Sequence, residues 1–168
     1  KEYILRTIIE FKDLQGADRM DLNTTVLKFK HFRQCLGSEV RSNWDLAKDG
    51  QPATNAGWAA ALLAFIANFF KPSDLTAQKR YMENFKKTYE ISVKTLADQF
   101  VSLNLYMQYF PGATGVPFDD IALKNLLFNS MPLTWQIDFA KAGHDINAAT
   151  YSYKQLESYM DNHALLAN

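Results

Sequence analysis

The sequence predicts an all-α protein of about nine helices, and three observations carry that prediction. Apolar residues recur with a period of about 3.6 along most of the chain. No alternating run bounded by hairpin turns interrupts the pattern. Glycine, proline and small polar residues stand where one helix would end and the next be capped. Four of the expected helices precede Pro72 and five follow it, so the expected organisation is two small helical lobes, residues 1–72 and 73–168.

In the first helix Ile4, Leu5, Ile8 and Ile9, with the stem of Lys12, share one side, and "LQGADRMD" ends it. The second, 24–36, turns Leu27, Phe32, Cys35 and Leu36 inward and stops at Gly37. Ser38 then caps a short helix with Val40, Trp44 and Ala47 at helical spacing, while Glu39 and Arg41 face water. After the loop "KDGQPATN", Thr54 or Asn55 caps a helix burying Trp58, Leu62, Phe65, Ile66 and Phe69. Pro72 biases Lys71 away from helix, and Ser73 or Asp74 suits the following cap. A helix over 74–89 has Tyr81, Met82, Phe85 and Tyr89 inward. Ser92 caps a longer one with the stripe Val93, Leu96, Phe100, Leu103 and Met107, and "FPGATGVP" is a loop. Asp119 or Asp120 opens a helix holding Leu123, Leu126 and Leu127 that "SMP" breaks. Thr134 caps a short helix with Trp135 and Phe139, and Thr150 or Ser152 caps the last, with Leu156, Tyr159, Met160 and His163.

The 168 residues are 48% hydrophobic and 21% charged, a balance that folds. Eighteen basic residues offset eighteen acidic ones, ten against nine up to residue 74 and eight against nine after it, so neither half carries a field that draws in nucleic acid or an anionic membrane. Cys35 is the single cysteine, which excludes an intrachain disulfide or a multi-cysteine zinc site and makes a reducing, intracellular setting the simpler expectation. The longest apolar run, 58–70, is short of the roughly 20 residues of a membrane span. No secretion signal is visible; a start at Lys1 and a helical end predict a piece of something longer.

Chemistry is sparse. His31, His144 and His163 lack a metal-ligand spacing, and Asp119 and Asp120 are explained by a helix start. His31 stands one turn before Cys35, but residues four apart are neighbours on any helix and no Gly-flanked elbow accompanies them. "PGATGVP" lacks the lysine and the preceding strand of a phosphate-binding loop. Lys79, Arg80, Lys86 and Lys87 fall largely on one helix side and could face RNA phosphates; the stronger reading is a solvated face on which Glu83 pairs with Lys87. No catalytic, metal or cofactor residues are expected.

Four pieces occur in a telling order: "FRQCLGSEVRSNWD", "LLAFIANFFKPSDLTAQKRYMENF", "ISVKTLADQFVSLNLYM" and "DDIALKNLLFNSMPLTWQIDF". Together, over about residues 24–165, they resemble the Gag capsid region of long-terminal-repeat retrotransposons, the family related to the domesticated capsid protein Arc. Leu36, Arg41 and Trp44 match the first motif, with Val40 for alanine and Asn43 for its first tryptophan. Phe65 and Phe69 match a Phe-x3-Phe segment. Ser92, Val93, Phe100 and Leu103 match the segment that stands in place of the retroviral major homology region, with Leu96 for an aromatic and Gln99 for an arginine; Met131 replaces the leucine of a Leu-Pro break. The resemblance makes Phe32, Leu36, Trp44, Phe65, Phe69, Val93, Phe100 and Leu103 the motif core. It implies two capsid-like lobes on a short linker and a non-enzymatic homo-oligomer that closes into a cytoplasmic virus-like shell around element RNA, with neither membrane nor small-molecule substrate. One cysteine leaves no room for a zinc knuckle and no Asp-Ser/Thr-Gly protease motif occurs, so RNA contact would fall to basic segments outside this chain. The alternatives are a host-domesticated scaffold that binds peptides in an apolar groove of the first lobe and, behind it, a helical enzyme.

Overall fold

A computed structural model describes residues 2–16, 25–148 and 151–166. Among these the chain is all-α, with nine helices and no strand: α1 (Glu2–Gly16), α2 (Thr25–Cys35), α3 (Ser38–Lys48), α4 (Asn55–Ala67), α5 (Pro72–Asn84), α6 (Val93–Met107), α7 (Asp120–Ser130), α8 (Leu133–Lys141) and α9 (Tyr153–Leu166). Two compact units result, Lys1–Leu75 with Tyr109–Ala113, and Thr76–Gln108 with Thr114–Asn168. The return of 109–113 to the first unit has a local cause, since the Phe110 ring lies 4.7 Å from that of Phe70.

In the first unit α3 and α4 pack most extensively on each other, α2 lies against both, and α1 against α2. Their shared core is aromatic. Phe32 is fully buried, with ring centroids 5.2 Å from Phe11, 4.7 Å from Trp44, 5.5 Å from Trp58 and 5.9 Å from Phe65. Each such edge-on pair contributes about 0.5–1.5 kcal/mol beyond the area it buries. The Trp44 indole Nε1 donates to Phe29 O at 3.3 Å, so the one polar atom of that ring is also accommodated.

Cys35, expected inward, is exposed, and the inward place at the end of α2 belongs to Leu36 alone. Ser38, expected as the cap of α3, is its first residue; Gly37 is the N-cap, with φ −61° and ψ 154°, and no side chain caps there. The work falls to α1 instead. Tyr3 Oη accepts from Gly37 N at 2.9 Å and donates to Cys35 O at 3.3 Å. Arg41, expected in water, is half-buried and donates through Nε to Leu36 O at 2.9 Å. The last carbonyl of α2, Cys35 O, and the next one, Leu36 O, are thereby paired at a helix end that leaves such groups without an intrahelical partner.

Thr54 caps α4, accepting from Gly57 N at 3.1 Å. Gly57 has to be glycine there, because a Cβ would stand 1.9 Å from Pro52 O. At the other end Phe69 is only half-buried and Phe70 takes the core position. Helix α5 starts at Pro72 rather than after Ser73 or Asp74, since proline's missing N–H costs nothing in the first turn. The Asp74 carboxylate reaches back to Lys71 N at 3.0 Å.

In the second unit α6, α7 and α9 pack on one another, and its buried set mixes aliphatic and methionine side chains with the rings of Phe100 and Phe139. Ser92 caps α6 through Thr95 N, Asp119 caps α7 through Ala122 N, and Ser152 and Gln155 cap α9 reciprocally. Thr134, expected as a cap, lies inside α8, which starts after Pro132. Leu103 is half-buried; the neighbouring Asn104 is buried in its stead, donating to Phe118 O at 2.7 Å and accepting from Phe118 N at 3.0 Å. Helix α5 ends at Asn84, five residues before the expected end. Tyr89 is consequently 100% exposed, and Tyr81, also expected inward, is exposed as well. The side chain of Lys12 and the cap candidate Thr150 lie outside the described residues.

Candidate functional site

The motif residues do not converge on one place. Phe32, Leu36, Trp44 and Phe65 are buried in the first unit, and Val93 and Phe100 in the second, as core rather than as a site. The His31 ring pairs with Gln34 at 3.1 Å, and burial with the nearby Glu10 carboxylate pushes the Cys35 thiol up, the opposite of what a nucleophilic thiolate needs. His144 is enclosed by rings, its centroid 5.0 Å from Phe139, 5.5 Å from Tyr151 and 5.0 Å from Tyr159. His163 Nε2 pairs with Asp138 at 3.2 Å. Among the described residues no group of three or more His, Cys, Asp or Glu could hold a metal ion.

The expected basic strip on one helix side is not formed. Lys79 and Arg80 are on α5, but Lys86 and Lys87 lie beyond its end and cannot make the i,i+4 pair with Glu83. Lys86 Nζ donates to Asn129 O at 2.7 Å, Lys87 N to Ser130 O at 2.8 Å, and the Lys87 ammonium lies 5.2 Å over the Trp135 ring. These contacts tie the segment after α5 to the end of α7 and the start of α8.

Two concave surfaces stand out, one in each unit. A groove of about 420 Å³ in the first unit has Val26 and Phe29 of α2 on one wall and the turn from Asp49 to Ala53 on the other. Arg33 crosses it to grip the Asp45 carboxylate at 2.8–3.0 Å, with Lys48 Nζ 3.1 Å from the same carboxylate. The guanidinium hydrogen bonds hold Asp45 at about 2, below its ordinary 3.8. The second groove, about 740 Å³, lies between Glu83, Lys86 and Lys87 and the α7–α8 corner, Asn129 to Leu133.

Large apolar side chains also face solvent on helices of both units. Leu46 of α3 is 77% exposed and Leu63 of α4 63%; in the second unit Ile121 of α7 is 62% exposed and Leu133 of α8 69%. Sequence periodicity marks such residues only as the ones off the core stripe, so it does not single them out.

The fold and surfaces define a two-unit helical protein with individually closed cores, and no described helix is long and apolar enough to cross a membrane. No protein-family model, curated protein or solved structure matches the chain.

Proposed function

We propose that this chain is the structural capsid domain of a retrotransposon Gag protein, self-assembling into a virus-like shell around element RNA in the cytoplasm, and that it is not an enzyme. The observation that carries the reading is the presence of exposed apolar side chains on both units, Leu46 and Leu63 on one and Ile121 and Leu133 on the other. A shell protein needs several modest contact surfaces on compact bodies rather than one deep polar pocket. The ordered resemblance of four segments to Gag capsid regions supports it independently. Net charge is zero, so RNA contact is assigned to segments outside this chain. Light scattering and electron microscopy across a range of salt concentrations test the proposal. Particles or higher oligomers are expected, with Leu46→Asp and Leu133→Asp reducing them at unchanged helicity; a monomer under every condition would sink it.

A second reading, a domesticated scaffold that binds peptides, is favoured by the first unit's groove over Val26 and Phe29. Selection of displayed peptides on the full chain would return binders that Val26→Asp abolishes. Binders indifferent to that change would argue against the groove.

A further inference from the structure

We propose that residues 85–88 are a two-state strap, clasped across the α7–α8 corner in one state and wound onto the end of α5 as another helical turn in the other. The clasped state is the one described: Lys86 Nζ on Asn129 O, Lys87 N on Ser130 O, and the Lys87 ammonium over Trp135. The first of these places the Lys86 ammonium at the C-terminal carbonyls of α7, where the helix dipole favours a cation, and the second pairs the last carbonyl of α7 with a backbone amide.

The same residues are written for a helix. Met82, Phe85 and Tyr89 continue the α5 periodicity, and Glu83 precedes Lys87 by four, the better order for a helical ion pair. The present end of α5 is a makeshift one. Phe85 N reaches Met82 O at 3.4 Å in a tightened turn, and the Asn84 amide side chain donates to Arg80 O. One further turn would give the Lys86 and Lys87 amides the Met82 and Glu83 carbonyls. Residues 89–91 would still span up to about 10 Å to the Ser92 cap, at about 3.3 Å per residue.

Each state rests on a few solvent-exposed contacts, so a small differential interaction selects between them. The states differ in what they present. Clasped, Lys86 and Lys87 form one wall of the 740 Å³ groove. Wound, that wall is withdrawn, and Lys79 with Lys86, and Arg80 with Lys87, come seven residues apart on one face of a single helix. The strap thus exchanges a walled groove for a cationic helix face.

Cα chemical shifts and amide hydrogen exchange of the full chain test this in K86Q and in Trp135→Ala, each of which weakens the clasp and leaves the Glu83–Lys87 pair available to the helix. Both should move residues 85–87 into the helical range and slow exchange at the Lys86 and Lys87 amides, while the amides of Phe100 and Leu127 stay protected. Adding Asn84→Gly to K86Q should undo the shift, because glycine weakens a helix at the point of extension. If Trp135→Ala melts the second unit, K86Q alone decides. Coil-like shifts with faster exchange, or no change at residues 85–88, would overturn the proposal.

Discussion

The two units solve the same packing problem with different materials. The first closes on rings: Phe11, Phe32, Trp44 and Phe65 are essentially inaccessible and touch edge to face. The second closes on Val93, Leu96, Phe100, Met107, Leu127, Phe139, Leu156 and Met160, and admits the polar Asn104, Lys124, Ser130 and Glu157 into its buried set. Each of these polar residues is tied down, Lys124 Nζ to Tyr151 O at 2.8 Å and Glu157 to Lys154 at 2.5 Å. Both interiors are held by close packing, and the second adds hydrogen bonds that its buried polar groups cannot do without. Both units should therefore be sensitive to lost volume, and the second to lost partners as well.

The largest effect that contrast predicts is at Trp44. Trp44→Ala should cost roughly 3–5 kcal/mol in denaturant unfolding; an unchanged midpoint with altered assembly would make it a contact residue instead. In the second unit Asn104→Ala should cost about 1–3 kcal/mol, because it strands both the N–H and the C=O of Phe118. Leucine at 104 should do no better, and a tolerated leucine would refute the dependence on partners. Thr54→Ala, which removes the α4 cap, should cost about 1 kcal/mol by the same measurement. The smallest effect is one of pH. Asp45 titrates lower folded than unfolded, so its stabilisation is complete above about 3.8 and is lost as pH falls through about 2. Asp45→Asn should flatten that acid limb of the melting curve and leave it otherwise parallel, by a small amount since the pair is part-exposed.

The helix count and most of the core could be read in the chain because apolar spacing records burial directly. Trp44, Phe65, Phe100 and Met160 sit where the 3.6-residue period places them. What the period does not record is partnership across the fold. Phe69 and Phe70 are equally apolar, and the ring of Phe110, 40 residues on, meets Phe70. Leu103 and Asn104 likewise differ by one position in phase, and Phe118 supplies the bonds that make the amide the better buried group. Helix α5 ends before its apolar period does for the same reason, since the acceptors of Lys86 and Lys87 lie more than forty residues away. The grooves and exposed leucines left little trace in the sequence, because a surface is composed of the positions a burial pattern passes over.

Gly57 shows a harsher sort of constraint. With the Pro52 carbonyl where its side chain would begin, the position has no graded response to substitution. A library randomised at residue 57 should return glycine alone, even under selection too lenient to purge a weakened Thr54 cap. The tight turn entering α4 is a lock with a single key, and its integrity can be scored from one codon.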